Sequence, residues 1–120
     1  MRRLAVVGAM MVGMLLSGCV GQGKALDDGW SMIVAEDYAS ARAQYQSMLV
    51  EDPNNPYVNL NLGVAYEEGG DNKMAAKHYQ VAVANGQDAE IQEVAQDGDV
   101  APRATTVAKV AQENLASLGS

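Results

Sequence analysis

The 120-residue chain holds one cysteine, Cys19, and one histidine, His78, so few of its groups can do chemistry. That pair cannot assemble a four-ligand Cys/His metal site, and a single cysteine excludes a disulfide framework within the chain. Triad catalysis needs a nucleophile, a base and a group that orients the base. His78 is the single imidazole, and beside Lys77 on a segment of helical pattern it reads as a packed or half-exposed helix residue rather than a general base. Glu67 and Glu68 are adjacent, which on a helix turns their side chains about 100° apart, a poor geometry for a catalytic carboxylate pair. Asp97-Gly98-Asp99 lacks the alternating oxygen ligands and closing carboxylate of a calcium loop. No glycine-rich phosphate loop follows a strand, because no segment reads convincingly as one. The expectation is a protein with no catalytic residue, no metal and no cofactor.

Cys19 still needs an explanation, and the residues before it supply one. Residues 1–18 run from a basic start, Arg2 and Arg3, through an apolar stretch from Leu4 to Leu16, to the small residues Ser17 and Gly18. This is the anatomy of a secretory signal, and the apolar stretch is shorter than the roughly 20 residues a membrane-spanning helix needs. Leu16-Ser17-Gly18-Cys19 resembles the lipobox of bacterial lipoproteins. The resemblance implies cleavage before Cys19 and a diacylglycerol on its thiol. At about 0.8 kcal/mol per buried CH₂, two or three acyl chains make a stable anchor. Proteins of this kind are held at the inner membrane by an aspartate after the cysteine; here Val20 stands there, which implies the periplasmic face of the outer membrane. Loss of residues 1–18 leaves 102 residues and takes the net charge from −7 to −9. Residues 19–28, with Gly21, Gln22, Gly23 and Lys24, read as the lipidated cysteine and a flexible tether.

The remainder, 48% apolar over the whole chain, fits one small domain, and its acidic balance has the wrong sign for nucleic acid. Shifted by 34 residues on itself, the chain places Gly29 over Gly63, Asp37 over Asp71, Ala41 over Ala75 and Tyr45 over Tyr79. A period of this length is the mark of stacked helical hairpins. Asn55-Pro56 opens a helix that Gly69-Gly70 closes; Asp71 caps a second that ends at Asn85-Gly86, a pair suited to a left-handed helix end. Leu62-Gly63, Tyr66, Ala75, Tyr79 and Ala82 resemble the signature of the tetratricopeptide repeat, with Asn59 where tryptophan is usual and Gln87 where proline is usual. Gly63 and Ala75 let two helix backbones approach while Leu62, Tyr66 and Tyr79 fill the space beside them. An earlier copy is clear in its second half, from Asp37 through Tyr38, Ala41, Tyr45, Met48 and Leu49 to Asp52-Pro53-Asn54-Asn55. Its first helix, with Leu26, Trp30 and Ile33 on one face and Asp28 in the slot of Leu62, is expected to be short or frayed, and Trp30 to be core filler.

Two repeats over residues 29–86 are therefore expected, followed by a solvated acidic connector at 87–101, with a helical turn allowed around Ile91 and Val94. Pro102 then opens a capping helix over 102–119, apolar along Val107, Val110, Ala111, Leu115 and Leu118. The fold class is all-α, a short solenoid of about five helices.

Helix 56–68 has two apolar stripes, Val58, Leu62, Ala65 and Tyr66 on one side and Tyr57, Leu60 and Val64 roughly opposite, so it must be covered twice. In the family the first helix of each repeat lines a concave groove. The resemblance thus implies a protein-binding surface at Tyr57, Leu60 and Val64, bordered by Asn61, Glu67 and Glu68. The alternative is that Trp30 or the C-terminal helix covers this stripe within the monomer. With Asn61 and no lysine on that helix, an acidic C-terminal peptide does not suit it. The implied function is a lipid-anchored module that binds a protein or peptide partner in the cell envelope, in assembly, secretion, pilus biogenesis or control of cell-wall enzymes. The alternatives are a self-associating structural lipoprotein, in which the partner is a second copy, and an accessory domain of a cell-wall hydrolase.

Overall fold

The computed structural model describes residues 4–6, 20–95 and 100–118. Five helices carry the fold: α1 (Val20–Val34), α2 (Tyr38–Leu49), α3 (Pro56–Glu68), α4 (Asn72–Asn85) and α5 (Val107–Leu118). The starts of α2, α3 and α4 follow from short polar side chains that satisfy otherwise unpaired N–H groups. Asp37 accepts from the Ser40 N–H at 3.2 Å, Asn55 from Val58 at 3.1 Å and Asp71 from Met74 at 3.1 Å. Pro56 occupies the first turn of α3, where its missing N–H costs nothing.

The ends of α1 and α3 are the same turn, 34 residues apart. Gly70 adopts φ 93° while its N–H reaches Glu67 O at 3.0 Å and that of Asp71 reaches Tyr66 O at 2.8 Å. In the first copy Glu36 takes φ 62°, with its N–H on Ile33 O at 2.9 Å and that of Asp37 on Met32 O at 2.8 Å. A left-handed residue is what lets the chain turn back here, and a Cβ makes that conformation costly. Gly86 differs from the expectation: its φ is −107°, so left-handedness is not its role. A Cβ there would lie 2.5 Å from the Ala82 carbonyl oxygen of α4 and 2.8 Å from the Cβ of Val107, so glycine is needed both to close α4 and to let α5 come close.

Within each hairpin a tyrosine ring lies directly on a glycine. A Cβ on Gly29 would fall 2.5 Å from Tyr45, and one on Gly63 2.5 Å from Tyr79. Ala41, Tyr45, Ala75 and Tyr79 are fully buried, and the core runs from Leu26, Trp30 and Ile33 through α3 to Val107, Val110 and Ala111. Trp30 is thus core, and Leu115 and Leu118 pack against the same core. Neither a short α1 nor a flexible tether is found, since α1 is helical from Val20. Leu26, Trp30 and Ile33 suffice because Gly29 lets α1 seat closely on Tyr45, and Asp28, out of place in an apolar slot, pairs with Lys24 one turn back at 3.1 Å.

The acidic connector and the start of the last helix also differ from expectation. Among the described residues of 87–101, a strand stands in place of the expected solvated linker with a helical turn: Glu90–Ala95 is β2, antiparallel to β3 (Val100–Thr106), and β1 (Leu4–Val6) adds to the other side of β2 in the order β1-β2-β3. Ile91, Val94, Val100, Thr105 and Thr106 give this hairpin the β-branched content that strands favour. Pro102 does not open a helix. The register jumps between Gln92↔Ala104 and Glu93↔Ala101, which leaves Pro102 and Arg103 as extra residues of β3, a bulge on an edge strand where a missing N–H is tolerated. The last helix starts at Val107 instead, capped by Thr106, whose Oγ1 accepts from the Lys109 N–H at 3.2 Å.

Glu36→Gly should stabilise the protein by up to about 1 kcal/mol, the left-handed cost removed less the greater entropy that glycine loses on folding. The urea midpoint measures it; a lower midpoint would mean that the Glu36 side chain contributes more than its backbone strain takes away.

Candidate functional site

Helix α3 is the centre of the molecule. It lies between α2 and α4, touches α1 and α5, and has β1 alongside it. All residues from Val58 to Ala65 are buried. Both apolar stripes read from the sequence are therefore largely covered in the full chain, with α1, α5 and β1 all packed against α3 beside α2 and α4.

Of the six residues expected to form an open groove, Leu60, Asn61 and Val64 are 0% exposed and Glu67 is 7% exposed. Tyr57 and Glu68 are half-buried. Asn61 is not a polar border but an interior tie. Its side chain hydrogen-bonds the Tyr45 hydroxyl, which also donates to Leu26 O at 3.3 Å, and burial pushes the ionisation of that phenol far up. Glu67 likewise serves the interior, since its Oε1 accepts from the Tyr79 hydroxyl at 2.8 Å. A tyrosine driven into the core by its ring must still satisfy its hydroxyl, and these two side chains do so. Tyr57 keeps a place near the surface. Its ionisation is raised, first by burial and then by the charge of Glu90 at the start of β2, so the phenol stands where α3 meets the strands.

A second polar group, seen in the sequence only as a departure from the repeat pattern, joins α2, α3 and α4. Asn59 is buried, and its Nδ2 donates to Pro53 O at 3.1 Å and Asn55 O at 2.9 Å. Its Oδ1 is left to accept from His78 Nδ1 at 2.9 Å. The His78 ring stacks on Tyr66, centroids 5.5 Å apart and planes 4° from parallel, and the Arg42 guanidinium lies 5.5 Å from the Tyr66 centroid. Gln46 Nε2 donates to the Tyr66 hydroxyl at 2.6 Å. Asn59 thus ties the inter-repeat turn to the helix in the slot where the family places a tryptophan. His78 is a packed residue, its pKa held below 6.5 first by burial and then by the charge of Lys77.

No group of three His, Cys, Asp or Glu side chains able to hold a metal ion occurs among the described residues. A shallow depression lined by Asp28, Ser31, Met32, Ala35, Asp37 and Gln44 has both of its carboxylates engaged, Asp28 by Lys24 and Asp37 as the cap of α2. No helix among the described residues is long and apolar enough to cross a membrane. Cys19 lies outside the described residues.

Two hairpins with the same caps, the same reversing turn and the same tyrosine-on-glycine contact at a shift of 34 residues agree with a comparison against known families. The model of the tetratricopeptide repeat matches residues 33–97, more than half of the chain. The chain belongs to the tetratricopeptide-repeat family. No curated protein and no solved structure matches it significantly. The matched span runs from the last turn of α1 through β2, so the repeat proper is α2 to α4 with the α1 end before it. Tetratricopeptide repeats are protein-interaction modules, which makes a protein partner the general expectation for this chain.

Leu60→Asp and Val64→Asp should each unfold the full chain rather than merely change its surface. Leaving an unpaired charge buried costs about 3–5 kcal/mol, most of the stability of a small domain. Circular dichroism and thermal melting read the outcome; retention of native helicity and melting temperature would place the stripe in solvent.

The lowered pKa of His78 makes stability depend on pH with a definite sign. The unfolded chain binds the proton more readily than the folded one, so the contribution of neutral His78 is full above about pH 6.5 and is lost as the pH falls from there through the folded pKa. Urea midpoints of wild type and His78→Gln at about pH 7.5 and pH 5 test this. The wild type should lose more on acidification than the variant, and equal losses would show that His78 does not titrate differently on folding.

Proposed function

We propose that the protein is a lipid-anchored interaction module of a bacterial cell envelope, attached through Cys19 and facing the periplasm from the outer membrane. The observation that carries the reading is the junction itself: Leu16-Ser17-Gly18-Cys19, a sequence that resembles a lipobox, is followed at once by the first helix of a tetratricopeptide stack at Val20. With a helix starting next to the lipidated residue, the stack stands close to the bilayer surface rather than on a long tether. The mature net charge of −9 keeps it from lying flat on anionic headgroups. Its work is to bind a protein, and no catalysis is assigned to it. The one imidazole is engaged with Asn59 and stacked on Tyr66, and Glu67 holds the Tyr79 hydroxyl inside the repeat.

Intact mass of the protein purified in detergent from the membrane fraction tests the anchor. The mature chain should begin at Cys19 with added acyl mass, and Cys19→Ser should either leave the precursor uncleaved or release the protein to the soluble fraction. A mature N-terminus elsewhere, without lipid, would end the reading.

A further inference from the structure

Strand β1 is made of Leu4–Val6, which lie inside the segment that the proposed maturation removes. It pairs antiparallel with the second half of β2, Leu4↔Ala95, Ala5↔Val94 and Val6↔Glu93, and it lies along α3 and α5. Its removal would leave two complementary surfaces open at one place: a row of unpaired N–H and C=O groups on β2 and the flank of the two helices it covered. The opposite edge of the sheet is protected, because β3 carries Pro102 and Arg103 in a bulge. Among the described strands, the edge regular enough to accept another is therefore the one β1 occupies.

We propose that this strip, between β2 and helices α3 and α5, is a strand-acceptor site, filled by the chain's own signal segment in the precursor and offered by the mature protein to an extended segment of a partner protein. The inference rests on the proposed cleavage before Cys19. The partner segment is a short run of small and branched apolar residues preceded by basic ones. The apolar run follows from Leu4-Ala5-Val6, which occupies the site, and the basic flank follows from charge and direction. Pairing Leu4 with Ala95 sets the N-terminal end of the bound strand at the C-terminal end of β2, in a stretch of sequence, 87–106, that holds five carboxylates. Glu90 and Glu93 lie on β2 itself, and Arg103 is the single cation between residues 87 and 106. In the signal segment, Arg2 and Arg3 stand ahead of Leu4. Main-chain hydrogen bonds to β2 supply attachment, as in other additions of a strand to a sheet edge, and the acidic surroundings select the flank.

The test uses the protein purified from membrane in detergent, its processing read by intact mass, and a synthetic peptide of residues 1–9 as the probe. Processed protein should bind the peptide saturably, and hydrogen exchange at Glu93–Ala95 should slow at least tenfold on binding. A control peptide with Leu4→Pro and Ala5→Pro should bind at least tenfold more weakly. Of two successive residues in an antiparallel strand one turns its N–H to the partner, so the double change deletes a ladder donor whichever it is. Processed, lipidated protein that does not bind the peptide, or binds both peptides equally, overturns the acceptor site and leaves the lipoprotein reading intact. Protein that retains residues 1–18 overturns both, because the site is then permanently filled. Processed protein whose β2 edge is already protected without peptide, and whose mass in solution is that of a dimer, overturns the partner segment in favour of a second copy.

Discussion

The contact of a tyrosine ring with a bare helix backbone sets the dimensions of everything else. Tyr45 lies on Gly29 and Tyr79 on Gly63, so close that even a methyl group would sit 2.5 Å from the ring. Helices joined in this way approach at a fixed distance and angle, and fully buried Ala41 and Ala75 keep the rest of the seam thin. The period of 34 residues in the sequence is the period of this contact. It also dictates where polar atoms must go inside a small core. Each ring carries a hydroxyl into the interior, and burying it without a partner would cost about 1–3 kcal/mol. The Tyr45 hydroxyl donates to Leu26 O and is hydrogen-bonded by the Asn61 side chain, and that of Tyr79 donates to Glu67.

That requirement explains why the polar residues of α3 do not mark a site. Asn59, Asn61 and Glu67 occur on a helix whose sequence looks amphipathic on two sides, yet each is turned inward on a specific partner. Asn59 is the most instructive, because it replaces a large apolar side chain of the repeat pattern. Its amide donates twice to the preceding turn and accepts once from His78, and Tyr66 and Arg42 stack beyond the imidazole. Three helices that the family joins by bulk are here joined by a directional network, which fixes their relative register.

Elements set by local chemistry were legible from residue types: the caps at Asp37, Asn55 and Asp71, the turn at Gly70, the glycine and alanine seams, and the apolar stripe of α5. What escaped was set by partners distant in sequence. Glu36 has no residue type that announces a left-handed turn, and only its alignment with Gly70 gives it away. Strands 90–95 and 100–106 owe their pairing to one another, and Pro102 carries the same signal at a bulge as at a helix start. The two stripes of α3 were visible, and the need to cover both followed. Which neighbours share that task was not, because one of the elements packed on α3, β1, comes from the segment that otherwise reads purely as an export signal.

A small stack has to close its ends, and this one does so unequally. At the first repeat α1 continues as helix back to Val20, while at the other end α5 closes the core through Val107, Val110 and Ala111. These covers are long, apolar and integral to the chain. The cover over the flank of α3 and α5 is different in kind: three residues, paired with only half of the six-residue β2. A ladder of that length contributes a few hydrogen bonds at a net of about 0.5–1.5 kcal/mol each, against about 1.5–3 kcal/mol for each of the many fully buried apolar side chains in the helical seams. Loss of such a strand leaves the tyrosine-on-glycine seams untouched, so the stack can survive the change that opens its flank. A replacement strand that paired with all of Glu90–Ala95 would meet twice the ladder that β1 uses, and length of pairing, rather than any new pocket, is then what would separate a partner from the segment it succeeds.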